Sequence, residues 1–333
     1  MPCTVVVGGF WGDEGKGKVI SYLALRDKIE IGARGGVGPN AGHTVEFKGK
    51  TFKLRMLPST FVNERCRLLI GAGVLVNPKI FLNEIELTKT HRKAGLDFNC
   101  SIIEEKHIAA DKSSSYLAQT IGTTGTGTGP SNVDRVQRIA KTARDVPELR
   151  EFLTDVSLEV NEALDEGKNV LLEGTQGTFL SLYHGSYPYC TSKDVTAASI
   201  CADVGVGPRR IDNVIVVFKS YMTRVGGGPL PGEVDEDEAK KRGWYEVATV
   251  TGRVRRAAPF NMDLAHKAIR LNSATQIAIT KLDVLFPDCR GAKEYSELPS
   301  KARDFVEDIE KKLNVQVAFL GTGPDAEAII DRR

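Results

Sequence analysis

Residues 9–18, "GFWGDEGKGK", put four glycines and two lysines into ten positions. Such a stretch suits phosphate, because glycine lets backbone N–H groups close on an anion and lysine supplies charge. Gly12, Gly17 and Lys18 occupy the spacing of a G-x-x-x-x-G-K phosphate loop, but its eighth position holds Val19 instead of a metal-binding hydroxyl. Asp13 and Glu14 stand inside the loop, where phosphate charge repels a carboxylate. A carboxylate there has two chemical uses. It can hold the metal that Val19 cannot, or act as a base beside the phosphate being transferred.

Five further stretches carry chemistry. "AITKLD" at 278–283 closes an apolar run with Lys281 and Asp283. A buried aspartate can accept from N1–H and the 2-amino group of guanine and goes unpaired against adenine, which favours GTP over ATP. His43 lies among Asn40, Gly42 and Thr44 in "GGVGPNAGHT", a polar, glycine-rich setting without apolar neighbours, which modestly favours a ligand-facing histidine over a surface or core one. The threonines and glycines of "GTTGTGTGP" at 122–130 read either as a second phosphate surface or as a plain loop. Gln176 in "EGTQGT" can read an amide-like base edge, and Arg253 and Arg255 of "TVTGRVRR" share one side if that segment is extended, a fork for phosphate or a dicarboxylate.

These residues need elements to hold them. Short apolar runs at 4–7, 67–70, 169–173, 213–219, 276–280 and 315–320 read as buried strands. Helical spacing predicts helices at 18–28, 79–94, 147–166, 262–272 and 298–313. Alternation of the two implies an α/β fold with a mostly parallel sheet covered on both faces, in one domain over 1–333 with long loop excursions. The 45 Lys and Arg nearly balance the 43 Asp and Glu, so the net charge of +2 supplies no general field for nucleic acid or an anionic membrane. No apolar run approaches the ~20 residues of a membrane span. The amino end has no signal-peptide pattern, and six scattered cysteines without a C-x-x-C pair point to a reduced, cytoplasmic protein.

Taken together, "WGDEGKGK", "NAGHT", "GTTGTGTGP", "EGTQGT", "YPYCTS", "TRVGGGP", "TGRVRR", "TKLDVL" and "GTGPD" resemble, in that order and over nearly the whole chain, the motifs of the adenylosuccinate synthetase family. The resemblance implies a phosphate-loop-related fold around a large sheet. It implies ligation of L-aspartate to IMP with GTP and Mg²⁺, through 6-phosphoryl-IMP, giving adenylosuccinate, GDP and phosphate in AMP biosynthesis. Asp13 would take the proton from N1 of IMP and ligate Mg²⁺, with the Gly42 carbonyl as a second metal ligand, and His43 would act as acid on the transferring phosphoryl group.

By the same resemblance, GTP would contact Gly12, Asp13, Glu14, Gly15, Lys16, Gly17 and Lys18, then Gly42, His43, Thr44 and Arg255. Its guanine would meet Lys281, Leu282 and Asp283 under a loop at Gly321, Thr322 and Gly323. IMP would meet Asp13, Lys16, Asn40, Ala41, Gly42, His43, Thr124, Gln176, Thr191 and Arg253, and also Arg138 from the neighbouring subunit of a homodimer. Aspartate would lie on Thr249, Val250, Thr251, Gly252, Arg253 and Arg255. The chain departs from the family's usual pattern at Val250, at Thr126 and in "GGVGP" at 35–39, and it resembles the compact archaeal form. On the opening loop and "TKLD" alone, a GTP-binding switch or a nucleotide kinase is the alternative. A switch has no use for Gln176, Thr191 and the clustered arginines, and a kinase would transfer phosphate but ignore aspartate.

Overall fold

The computed structural model describes residues 2–248 and 252–333. The expected strands are present, and they join others in one ten-stranded sheet. Its spatial order is Ile329–Asp331, Val317–Gly321, Gln276–Thr280, Asn213–Lys219, Cys3–Gly8, Val170–Glu173, Ile31–Arg34, Arg67–Ile70, Ala94–Asp97 and Leu153–Thr154. Every neighbouring pair is parallel except the last two strands in sequence, Val317–Gly321 and Ile329–Asp331.

The strand Cys3–Gly8 runs through the centre as an uninterrupted buried stretch rich in β-branched residues. Alternation sends Val5 and Val7 into one apolar layer and Val6 into the other. The first layer is closed by helices Val156–Asp165, Ala197–Val204, Met262–Asn272 and Ser300–Leu313. The second is closed by Lys16–Arg26 and Pro78–Thr88 together with an antiparallel hairpin, His43–Phe47 with Lys50–Leu54.

Several predicted boundaries move. The helix expected over 79–94 is Pro78–Thr88, stopped by left-handed Lys89, and the remainder turns into the strand Ala94–Asp97. The stretch 147–166 breaks in two, because Asp155 caps a fresh helix by accepting from the Leu158 amide at 2.9 Å. The threonine-glycine loop runs straight into a helix, Thr128–Gln137. Ile31–Arg34, too short and glycine-broken to register as a strand in the sequence, lies fully buried near the middle of the sheet. Among the described residues no helix is long and apolar enough to cross a membrane, and all six cysteines are free thiols.

A cleft at the carboxyl ends of the central strands

The candidate residues leave the sheet at one edge. Parallel strands all end on the same side, so the loops after Gly8, Arg34, Glu173, Lys219, Thr280 and Gly321 converge there. They surround a cleft of about 590 Å³. It is lined by Gly12, Asp13, Gly15, Lys16, Gly17 and Lys18 from the opening loop, and by Asn40, Ala41, Gly42, His43 and Thr44 from the next. Thr124, Gln176, Thr191, Arg253, Arg255, Lys281 and Gly323 complete the set of expected residues that face it.

The opening loop is wound by its backbone. Gly12 and Gly15 have φ of 89° and 86°, and Asp13, a non-glycine, is held at 61°. Left-handed geometry costs an aspartate of order 1 kcal/mol or more and persists only where surroundings enforce it. Glu14 is the enforcer. Its carboxylate is buried and accepts from the Phe10 amide at 3.0 Å, the Gly12 amide at 2.8 Å and the Lys16 ammonium at 2.9 Å. The structure therefore gives Glu14 a bracing place beneath the loop, away from the cleft it was expected to face. Bracing turns Asp13 outward. Asp13 remains partly exposed, with Oδ2 at 2.9 Å from Nε of Arg255.

Arg255 belongs to a chain of charges. It pairs with Glu246, which also accepts from the Tyr221 hydroxyl and lies 3.0 Å from the Lys219 ammonium. Burial pushes the Glu246 carboxyl up, but Lys219, Arg255 and Lys281 more than reverse this and hold it far below the usual carboxylate range. Burial lowers Lys219 despite that carboxylate.

His43 is supported differently. It opens the hairpin and is almost fully buried. Its Nδ1 contacts Oε1 of Glu173, and Arg34 Nη1 reaches the same oxygen at 3.1 Å. Arg34 and Glu173 are register partners at the ends of adjacent strands, and Ser59 donates to Glu173 from its amide at 2.6 Å and its hydroxyl at 3.1 Å. Arg34 also donates to the Ala41 carbonyl at 3.0 Å, so one guanidinium fixes both the histidine and the loop before it. Burial, aided by Arg34 and opposed by Glu173, lowers the His43 pKa from 6.5 to about 4. Nε2 is buried without a partner among the described residues, on a ring that lines the cleft. An unpaired buried ring nitrogen at a cleft wall is a place for a ligand atom.

At the far end, the Thr280 hydroxyl donates to the Glu14 carbonyl at 2.5 Å, tying the "TKLD" strand to the phosphate loop. Lys281 caps a short helix with φ of 59°, and Asp283 is buried 3.4 Å from Arg290. On the opposite wall Asn40 donates to the Thr191 hydroxyl at 3.2 Å, and Arg253 to the Gly122 carbonyl at 2.8 Å. Gln176, like Asp13, has a positive φ, of 63°.

Not every expected residue faces the cleft. Leu282 packs into the core, the Thr322 hydroxyl turns to the Ala292 carbonyl, and Gly321 ends its strand beneath the surface. Arg138 is exposed at the end of its helix and away from the cleft. Thr249, Val250 and Thr251 lie outside the described residues, and Gly252 is exposed beside them. Sequence reasoning passed over Glu173, Arg34, Glu246, Lys219 and Arg224. The last is a buried arginine on the cleft wall, 5.2 Å over the Trp11 ring. The available signal was a charge closing an apolar run, as in "NVLLE" and "NVIVVFK".

Comparisons with known proteins agree with this arrangement. The sequence matches the adenylosuccinate synthetase family over residues 5–148 and 139–288. It is 56% identical to the adenylosuccinate synthetase of Archaeoglobus fulgidus, over 100% of this chain and 99% of that one. With the Methanocaldococcus jannaschii enzyme it shares 55% identity over 100% and 97%. The fully ligated adenylosuccinate synthetase of Plasmodium falciparum superposes with a TM-score of 0.91 at 25% identity, covering 99% of each chain.

Proposed function

The chain belongs to the adenylosuccinate synthetase family and joins L-aspartate to IMP at the expense of GTP; from that premise we propose how the cleft divides the work. Asp13 is the base. It accepts the N1 proton of IMP, so that O6 attacks the γ-phosphorus of GTP while the bond to the β-phosphate oxygen breaks and GDP departs. The amine of aspartate then adds at C6 of the 6-phosphoryl purine, and the O6 phosphate leaves as inorganic phosphate. The observation that carries this is the placement of Asp13 and His43 on one cleft wall with the glycine-lysine loop. A carboxylate stands in a phosphate cradle because the nucleophile must be deprotonated where phosphate is transferred.

His43 meets the transferring group. Its Nδ1–H belongs to Glu173, so Nε2 faces the cleft, and phosphate oxyanions there oppose the burial that keeps the ring neutral. Binding of GTP then draws a proton onto Nε2, which donates to the phosphoryl oxygens. Asp13, partly exposed, and Gly42 both line the cleft and fit Mg²⁺, which takes one or two protein oxygens with phosphates and water. When bound it would neutralise the phosphates. Lys281 and Asp283 hold guanine, Asn40, Thr124, Gln176 and Thr191 hold IMP, and Arg253 and Arg255, with 249–252, receive the carboxylates of aspartate.

One sheet running from Cys3–Gly8 to Ile329–Asp331 supports reading 1–333 as a single catalytic unit. Around Arg138, Val133, Val136 and Ile139 are 54%, 69% and 64% exposed, which supports a homodimer built on this helix with Arg138 reaching the neighbouring site. The free cysteines suit a cytoplasmic enzyme. Two tests apply. Phosphate release from GTP, measured with IMP and aspartate each omitted, should require both substrates and accompany adenylosuccinate formation; release without aspartate contradicts the assignment. Mixing an Arg138→Leu chain with an Asp13→Asn chain should restore activity, and inactive mixed dimers would remove the shared site.

A further inference from the structure

The glycine-lysine motif assigns Lys18 to the triphosphate, but its side chain is committed elsewhere. Lys18 lies within the first turn of the helix Lys16–Arg26, is only 8% exposed, and donates to the carbonyl of Gly323 and to that of Ala328 at 2.8 Å. Both carbonyls belong to the turn joining Val317–Gly321 to Ile329–Asp331. Two of the three ammonium donors are thereby spent on backbone. The same turn is held by the Ala326 amide on the Glu46 carbonyl at 2.8 Å and by the Gly291 amide on the Thr322 carbonyl at 3.0 Å. Those contacts reach the hairpin and the segment after Asp283. Lys18 supplies a side-chain link to the helix that opens on the phosphate loop.

We propose that Lys18 is a positioning residue: it ties the 321–328 turn to the phosphate-loop helix and so shapes the wall over the purine of GTP. This rests on the reading that Lys281, Asp283 and the 321–323 segment hold guanine. Asp283, Asp325 and Glu46 favour the Lys18 charge and Lys281 opposes it, with burial dominant, so the ammonium sits at about 8 in place of 10.5.

Guanosine, which has no phosphate, separates the two roles. If Lys18 is a tether, Lys18→Met weakens guanosine and GTP binding by the same factor, roughly tenfold for the loss of charge-assisted bonds, and hydrogen exchange of the 322–328 amides speeds up. Lys18→Arg, which keeps the donors, should recover most of both. Weaker GTP binding with guanosine binding and amide exchange unchanged would overturn the proposal and return Lys18 to the triphosphate. Asp283→Asn is the control on the underlying reading. If it leaves guanosine affinity unchanged, guanine binds elsewhere, and the exchange rates alone then decide whether Lys18 is a tether.

Discussion

Asp13 and His43 share one cleft and are held in opposite ways. Asp13 rides a strained, glycine-wound loop, partly open to solvent, and its ion-pair partner Arg255 is anchored in turn by Glu246, which Lys219 also holds. His43 is sunk against Arg34 and Glu173 at the ends of adjacent strands, and Ser59 donates to Glu173 from the segment after the hairpin. The difference follows from the chemistry. A base must reach its substrate and exchange partners, so it is displayed. A histidine that must present one particular nitrogen needs its tautomer fixed, so it is buried against a carboxylate.

That contrast can be broken from either side. The largest effect is expected from Asp13→Asn, which removes the base and keeps its shape: kcat should fall by roughly 10²–10⁴, with GTP and IMP binding changed less than about tenfold. Equal losses in binding and turnover would instead make Asp13 a binding residue.

Next is Glu173→Gln. The amide no longer fixes Nδ1–H or balances an imidazolium, so kcat should drop by about 10² while KM for IMP stays within about threefold. The pKa of His43 in the GTP complex, followed by NMR, should fall as well. A variant with unchanged kcat would separate Glu173 from the histidine's work.

Glu246→Gln tests the Asp13 side. It leaves Lys219 and Arg255 with less counter-charge in a buried site and should cost about 2–3 kcal/mol in urea unfolding. A loss below about 0.5 kcal/mol would mean that the chain of charges is not cooperative.

The smallest effect concerns pH. Unfolded, His43 takes a proton near 6.5; folded, it resists until about 4. The unfolded state therefore binds more protons in between, and stability should decline as pH falls through that window. His43→Gln should lose less stability than the parent between pH 7 and pH 4. Identical pH dependence would show that the folded ring titrates normally.

Much of this was legible in the sequence, for reasons of locality. The strand, glycine loop and helix at 3–26 announce themselves because loop geometry is written in neighbouring residues, and Asp13 stands out inside it. His43 was legible as a candidate, but its burial was not. Burial by Arg34 and Glu173 comes from strand pairing, and Glu173 lies 130 residues away in sequence. Glu246 was hidden for the same reason, and Lys219 showed only as a charge closing an apolar run. The inward turn of the Glu14 carboxylate was not legible, because a motif gives positions along a chain and says nothing about which side chain turns under a left-handed bend. The break at Asp155 was hidden by continuous helical spacing across a cap.

The central claim is that Asp13 enables phosphoryl transfer to IMP before aspartate takes part. GTP labelled with ¹⁸O in the β–γ bridge, incubated with enzyme and IMP but without aspartate, tests it most directly. Reversible transfer frees the β-phosphate of bound GDP to rotate, so the label should scramble into its non-bridging positions with the parent enzyme and stay in the bridge with Asp13→Asn. Scrambling at the parent rate in Asp13→Asn, or none in the parent, would contradict the account.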